Sequence, residues 1–112
     1  MADKKKSLKP IPPTLRGKKR YIKFQLLTNQ KLREMDVKDS VWRVFGRLFG
    51  EKGIAEQKLW VVKWLPQNNG VLRCSLEKEE EAKAGILFIK KIGETPVIPV
   101  ILGVSGSLSK LK

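Results

Sequence analysis

Leu59–Ser75 reads LWVVKWLPQNNGVLRCS. Leu59–Leu65, rich in Val and Trp, and Val71–Ser75 read as two strands. Pro66–Gly70 between them is dense in turn residues, so the segment predicts a β-hairpin. Each flank then adds a helix and a strand. On the C-terminal side, Glu77 to about Lys91 reads as a helix, with acids in its first turn and Lys90 and Lys91 in its last, both favourable to the dipole. Gly93 closes it. Pro96–Val104 follows as an apolar strand whose Pro96 and Pro99 suit a sheet edge or a bulge. On the N-terminal side, Asp36 can cap a helix running to about Phe49, which Gly50 or Gly53 ends. Before it, Arg20–Thr28 alternates Ile22, Phe24 and Leu26 against Tyr21, Lys23 and Gln25, the period-two signature of a half-buried strand. The order β-α-β-β-α-β is the split unit of ferredoxin-like folds. The expected class is therefore α+β: a four-stranded, mostly antiparallel sheet with two helices on one face.

At 112 residues the chain predicts one domain with a modest core, and 41% hydrophobic content argues against wholesale disorder. Its formal charge of +13 is unevenly spread. Residues 1–33 carry 11 Lys/Arg against Asp3 alone, a net of +10; residues 34–112 carry 13 against 10 acids, a net of +3. A nearly balanced domain with a cationic front end predicts a nucleic-acid partner first and an anionic membrane second. The membrane is the weaker reading, because no apolar run approaches the ~20 residues of a spanning helix. Met1–Lys9 has lysines without a following apolar stretch, so it is no secretory signal. A lone Cys74 forms no internal disulfide, which fits a reducing cytoplasm, and reads as a small buried strand residue.

Pro12–Ile22, PPTLRGKKRYI, joins Pro12 and Pro13 to four cations at the start of the first strand. The prolines keep the approach extended. Arg16, Lys18, Lys19 and Arg20 are thus held at a sheet edge, an arrangement suited to a rigid polyanion such as folded RNA. This stretch resembles the N-terminal signature of the small basic protein subunit of archaeal ribonuclease P, component 2, a family shared with the eukaryotic enzyme. Arg73-Cys74-Ser75 and Gly103-Val104-Ser105-Gly106-Ser107-Leu108 are similar to that family's other two landmarks, in the same order. The resemblance covers roughly Pro12 to Leu108. Two departures stand out: Ser107 occupies a position more often Thr, and family members often continue into a basic C-terminal segment where this sequence stops at Lys112.

The resemblance implies a subunit of ribonuclease P, the endoribonuclease that removes the 5′ leader from precursor tRNA with RNA as catalyst. It implies no catalytic residue and no cofactor on the protein, with magnesium held mainly by the RNA. It implies as partners the catalytic RNA, precursor tRNA and the barrel-folded protein subunit, two such pairs forming a heterotetramer in the cytoplasm. Candidate RNA-binding residues are Arg16, Lys18, Lys19, Arg20, Lys23 and Arg73, with Lys4, Lys5 and Lys6 on the tail. Gly103, Ser105, Gly106 and Ser107 form a glycine-permitted turn near RNA or a partner. Residues 1–11 read as a flexible basic tail, 12–108 as the domain and 109–112 as a short basic end.

Two features of the elements carry open readings. On a helical wheel, Val37, Val41, Val44 and Leu48 form one stripe, and Trp42, Phe45 and Phe49 widen it to roughly 160°, beyond the ~100° a helix on a sheet needs. The excess is either core tucked under loops or an anchor for a protein partner, with Trp42, Phe45 and Phe49 as the partner residues. Trp60 and Trp64 read as sharing one face of their strand, as core, as cover for the sheet's open face or as a self-association surface.

Catalytic chemistry is hard to find. The chain has no His, the commonest general base. Asp3, Asp36 and Asp39 lie in a tail and at a helix start rather than on strand ends. Glu77, Glu79, Glu80 and Glu81 spread around a helix axis, so no metal site is expected. Gly-Val-Ser-Gly lacks the second glycine spacing and the following helix of a nucleophile elbow. The common RNA-recognition domain shares this topology, but its paired aromatics are missing from Val71–Ser75. Shape and phosphate contact with folded RNA is the expected mode, not base stacking on the sheet. A ribosomal or tRNA-processing RNA-binding accessory shares the charge and fold but leaves the terminal motifs unexplained. A small-molecule-binding regulatory domain of this topology leaves the cationic front end unexplained.

Overall fold

Strand β1 (Lys19–Leu27) is the axis of the computed structural model, which describes residues 18–107. Its even-numbered Ile22, Phe24 and Leu26 are buried, while Tyr21, Lys23 and Gln25 keep partial exposure. There follow α1 (Glu34–Gln57), β2 (Trp60–Leu65), β3 (Asn69–Ser75), a 3-10 turn at Leu76–Lys78, and α2 (Glu79–Leu87). Two short strands, β4 (Lys91–Ile92) and β5 (Thr95–Pro96), precede β6 (Ile98–Ser105). The main sheet runs β2-β3-β1-β6 with every neighbouring pair antiparallel. This is the expected ferredoxin-like arrangement. β6 is an edge strand, where the missing N–H of Pro99 does least harm.

One core fixes the layers. Ile22, Phe24, Val61, Leu72 and Cys74 from one sheet face pack with Val37, Val41 and Phe45 of α1 and Ala82 and Ile86 of α2. Both helices therefore cover the same face. Each large side chain buried there contributes roughly 1.5–3 kcal/mol by leaving water. Gly85 sets how closely α2 approaches, because a Cβ there would overlap the Phe45 ring.

Several details correct the expectations. The first helix starts earlier than Asp36: Arg33 is the cap residue, Val37 N–H donates to Arg33 O, and Asp36 pairs with Arg33 at 3.0 Å. It also continues beyond Gly50, which interrupts it with φ 73° and ψ 176° before helix resumes to Gln57. The second helix ends at Leu87, tightened by Phe88 N–H to Gly85 O and Ile89 N–H to Ile86 O. Lys90 and Lys91 consequently lie outside it, and Gly93, with φ 61°, turns the small β4–β5 ribbon instead of closing the helix.

The tryptophans are separated by a bulge. Trp60 pairs with Arg73 and Val61 with Leu72, but the register shifts between Val61 and Lys63, so Lys63 pairs with Val71 and Trp64 with Gly70. One extra residue reverses the alternation. Trp64 turns to the core, its ring 6.4 Å from Phe24 and its indole N–H donating to Leu32 O, whereas Trp60 stays on the far face, 54% exposed. They do not share a face.

Candidate nucleic-acid interface

The face of the sheet away from the helices is set by register. β1 presents Lys19, Tyr21, Lys23 and Gln25; β3 carries Asn69, Val71 and Arg73 there, Val71 itself being buried. Ser75 at the strand end is buried instead, its hydroxyl donating to Glu56 O of α1 at 3.4 Å. β2 adds Trp60 and Lys63, and β6 adds Val100, Gly103 and Ser105. No acidic residue occupies any of these positions. Among the described residues, Lys19, Lys23, Lys63 and Arg73 make no ion pair, since every pair between described residues lies on the helical side or at the helix ends. Arg73 also has a buried Nε without a hydrogen-bond partner.

Alternation divides the cationic run of the opening motif. Arg20 pairs in register with Cys74 and points to the helix side, where its Nε lies 3.4 Å from Glu79 Oε1. Lys18 is exposed, and its carbonyl accepts the Leu76 N–H at 3.1 Å, which ties the start of β1 to the turn before α2. Arg16, Lys4, Lys5 and Lys6 fall outside the described residues. Cys74 is buried, as expected, and its thiol is pushed up to about 11, chiefly by burial and then by Glu79, with Arg20 opposing.

Three stretches far apart in the chain converge here. Tyr21 faces Arg73 on one side and Ser105 on the other, so the opening motif, Arg73-Cys74-Ser75 and the glycine motif lie side by side on β1, β3 and β6. Ser105 Oγ accepts the Ser107 N–H at 3.1 Å, closing a small turn, and Gly106 lies directly against the Arg20 guanidinium.

A model of the Rpp14/Pop5 family matches residues 20–112, a span that takes in all three strands. The chain belongs to the Rpp14/Pop5 family. It is 35% identical over 106 residues to ribonuclease P protein component 2 of Pyrococcus abyssi, covering 94% of this chain and 90% of that protein. It is 37% identical over 106 residues to the protein of that name in Methanocaldococcus jannaschii, covering 94% and 78%. A chain in the cryo-EM structure of yeast ribonuclease MRP shares the fold, with a TM-score of 0.64 at 15% identity over 81% of this chain and 76% of that one.

In this family member the first-helix aromatics have separate fates. Phe45, expected as a partner anchor, is 0% exposed and belongs to the core. Phe49 is half-buried against it, the rings 5.7 Å apart. Trp42 alone of the three is on the surface, 36% exposed, and Leu48, expected in the core stripe, is exposed too. Pairing of Val41 with Phe45, not Val44 with Leu48, follows the axis of the stripe.

Two features escaped the sequence reading. Lys63 reaches the cationic face only through the bulge, which nothing in its own strand announces. A groove of about 560 Å³ also lies between α1 and the segment after α2, with Val44, Leu48 and Phe88 as apolar lining and Arg43, Arg47 and Lys90 around them. The i, i+4 spacing of Arg43 and Arg47 was the available signal. The glutamates of α2 hold cations of the protein itself: Glu79 with Arg20 and Lys83, Glu80 with Lys83, Glu81 with Lys78. Among the described residues no group of three His, Cys, Asp or Glu could hold a metal ion, and no helix is long and apolar enough to cross a membrane.

Proposed function

We propose that this chain is a protein subunit of ribonuclease P that supports RNA-catalysed removal of the 5′ leader from precursor tRNA by binding and stabilising the catalytic RNA. The observation carrying the proposal is the acid-free face on which the three motifs meet. Lys19, Lys23, Lys63 and Arg73 offset phosphate repulsion there, so that RNA segments fold closely against one another and the active conformation is favoured. The donor set of the described residues suits phosphate, since cations face outward and the α2 glutamates are already paired with the chain's own Arg20, Lys78 and Lys83. Magnesium is accordingly assigned to the RNA, and no step of the chemistry to this chain.

Within that reading the protein partner is the barrel-folded subunit of the enzyme, with two such pairs assembling into a heterotetramer in the cytoplasm. The exposed Trp42 on α1 supports a protein contact, because aromatic anchors dominate interfaces. Residues 12–108 act as the RNA-binding domain, flanked by the basic ends.

The test is cleavage of precursor tRNA by protein freed of RNA, and by the same protein added to the catalytic RNA. Protein alone should cut at no magnesium concentration, whereas the combination should cut at the leader junction faster than RNA alone. Site-specific cleavage by RNA-free protein overturns the proposal. Recovery of ribosomal RNA as the one bound species from cell extract would move the protein to another RNA-binding task.

A further inference from the structure

A row of side chains crosses three strands of the open face. Trp60 on β2 is opposite Arg73 on β3, which is opposite Tyr21 on β1. The strand spacing of about 4.8 Å places the two aromatic residues roughly 9.6 Å apart with the guanidinium stem between them. We propose that this row is a stacking site for an unpaired stretch of RNA, taking adjacent bases on Trp60 and Tyr21 and the intervening phosphate on Arg73. The proposal deepens the RNA-binding reading and rests on it.

Four observations carry it. The first is charge: Lys19, Lys23 and Lys63 flank the row and no acid shares the face, so a polyanion is the complementary occupant. The second is the ring at the β2 edge. Trp60 exposes over half its surface, at 54%, a large apolar area to leave in water unless a partner covers it. The third is Arg73, half-buried with an Nε that no group of the described residues satisfies. That Nε is itself shielded from solvent, but the guanidinium makes no ion pair among the described residues, so its outer N–H groups remain for a phosphate. The fourth is rigidity. β1 and β3, which carry Tyr21 and Arg73, are the two central strands, held on both sides, so these two side chains need little backbone ordering on binding, while Trp60 stands at the accessible β2 edge.

Duplex RNA cannot use such a row, because its bases are already stacked and its readable groove edge is shallow. Unpaired bases can, and stacking tolerates any base because each has a π-face. The row lacks the paired aromatics of the common RNA-recognition domain within β3 and obtains its second ring from β2 instead. This is why the strand sequence alone hides it.

The experiment uses the full chain with two probes: an oligoadenylate of about eight nucleotides carrying 2-aminopurine, and a fully paired RNA hairpin. Wild type should quench the 2-aminopurine on binding. Trp60→Lys and Tyr21→Ala should each weaken the single strand by roughly fivefold or more while leaving the hairpin affinity within about twofold. Tyr21→Phe keeps the ring and should bind as wild type, and circular dichroism confirms the fold of every variant. Trp60→Lys separates stacking from charge, since it removes a ring and adds a cation. Single-strand binding by Trp60→Lys at or above the wild-type level overturns the stacking site and leaves the RNA-binding reading intact. A second copy of the chain on this face would appear as concentration-dependent mass abolished by Trp60→Lys with RNA binding unchanged, which also overturns it. Failure of wild type to bind either probe overturns the RNA-binding reading itself.

Discussion

The Arg20 guanidinium lies 3.4 Å from the Glu79 carboxylate, on the opposite side of the sheet from Lys19 and Lys23. Adjacent cations of one motif thus do different things: one fastens β1 to α2, and its neighbours face outward. The pair is only partly sheltered, with side-chain exposures of 32% and 23%. A double-mutant cycle of Arg20→Gln and Glu79→Gln should therefore return a coupling of roughly 0.2–1 kcal/mol, measured by urea unfolding. A larger coupling would make the pair a principal fastening of the fold.

The fit of Gly85 against Phe45 gives a second prediction. On an exposed helix surface Gly→Ala stabilises by up to about 1 kcal/mol. Here the added Cβ overlaps the Phe45 ring, so Gly85→Ala should instead destabilise by roughly 1–3 kcal/mol. A neutral or stabilising result in chemical denaturation would show that Phe45 moves aside freely.

Trp42 and Phe45 should behave oppositely. Phe45→Ala removes a fully buried ring and should lower stability by roughly 3–5 kcal/mol. Trp42→Ser should change stability by less than about 1 kcal/mol and reduce association with the protein partner. If thermal stability collapsed in Trp42→Ser while partner binding per folded molecule held, the exposed indole would be structural and the interface would lie elsewhere.

What the sequence made legible follows from periodicity, and what it hid follows from partners. Ile22, Phe24 and Leu26 declared a half-buried strand because alternation is local, and the element order then selected the topology. The face of Trp60 and Trp64 was not legible, because a bulge is fixed by how β2 pairs with β3. Gly50 was read as a stop because sequence shows its freedom but not that helix resumes beyond it. The three motifs were visible separately. Their meeting at Tyr21 needed the strand order, and only that order shows Arg20 turning away from its neighbours.

Cys74 supplies a pH prediction. Its folded thiol is pushed up to about 11 from an ordinary 9.0, so above pH 9 the unfolded chain loses its proton first. The folded state then binds more protons, and stability present below pH 9 is lost as pH rises toward 11. Wild type should lose on the order of 1 kcal/mol relative to Cys74→Ala between pH 8 and pH 10, measured by urea titration. A constant difference across that range would mean the thiol ionises as readily folded as unfolded.

The salt dependence of RNA binding tests the cationic face. Neutralising Arg16, Lys18, Lys19 and Arg20 together should flatten the log–log salt slope, each phosphate contact contributing roughly 0.7–0.9. The geometry ranks them: Arg20→Gln alone should change the slope least, because its guanidinium already serves Glu79, whereas Lys19→Gln and Lys23→Gln should each remove close to one contact. Neutralising Lys4, Lys5 and Lys6, which lie outside the described residues, should lower affinity less per charge than neutralising Lys19 and Lys23. Titrating the catalytic RNA at several salt concentrations against each variant gives the slopes directly. An unchanged slope in Lys19→Gln and Lys23→Gln, with a flattened one in Arg20→Gln, would put the phosphate contacts on the helix side of the sheet and leave the acid-free face without its proposed role.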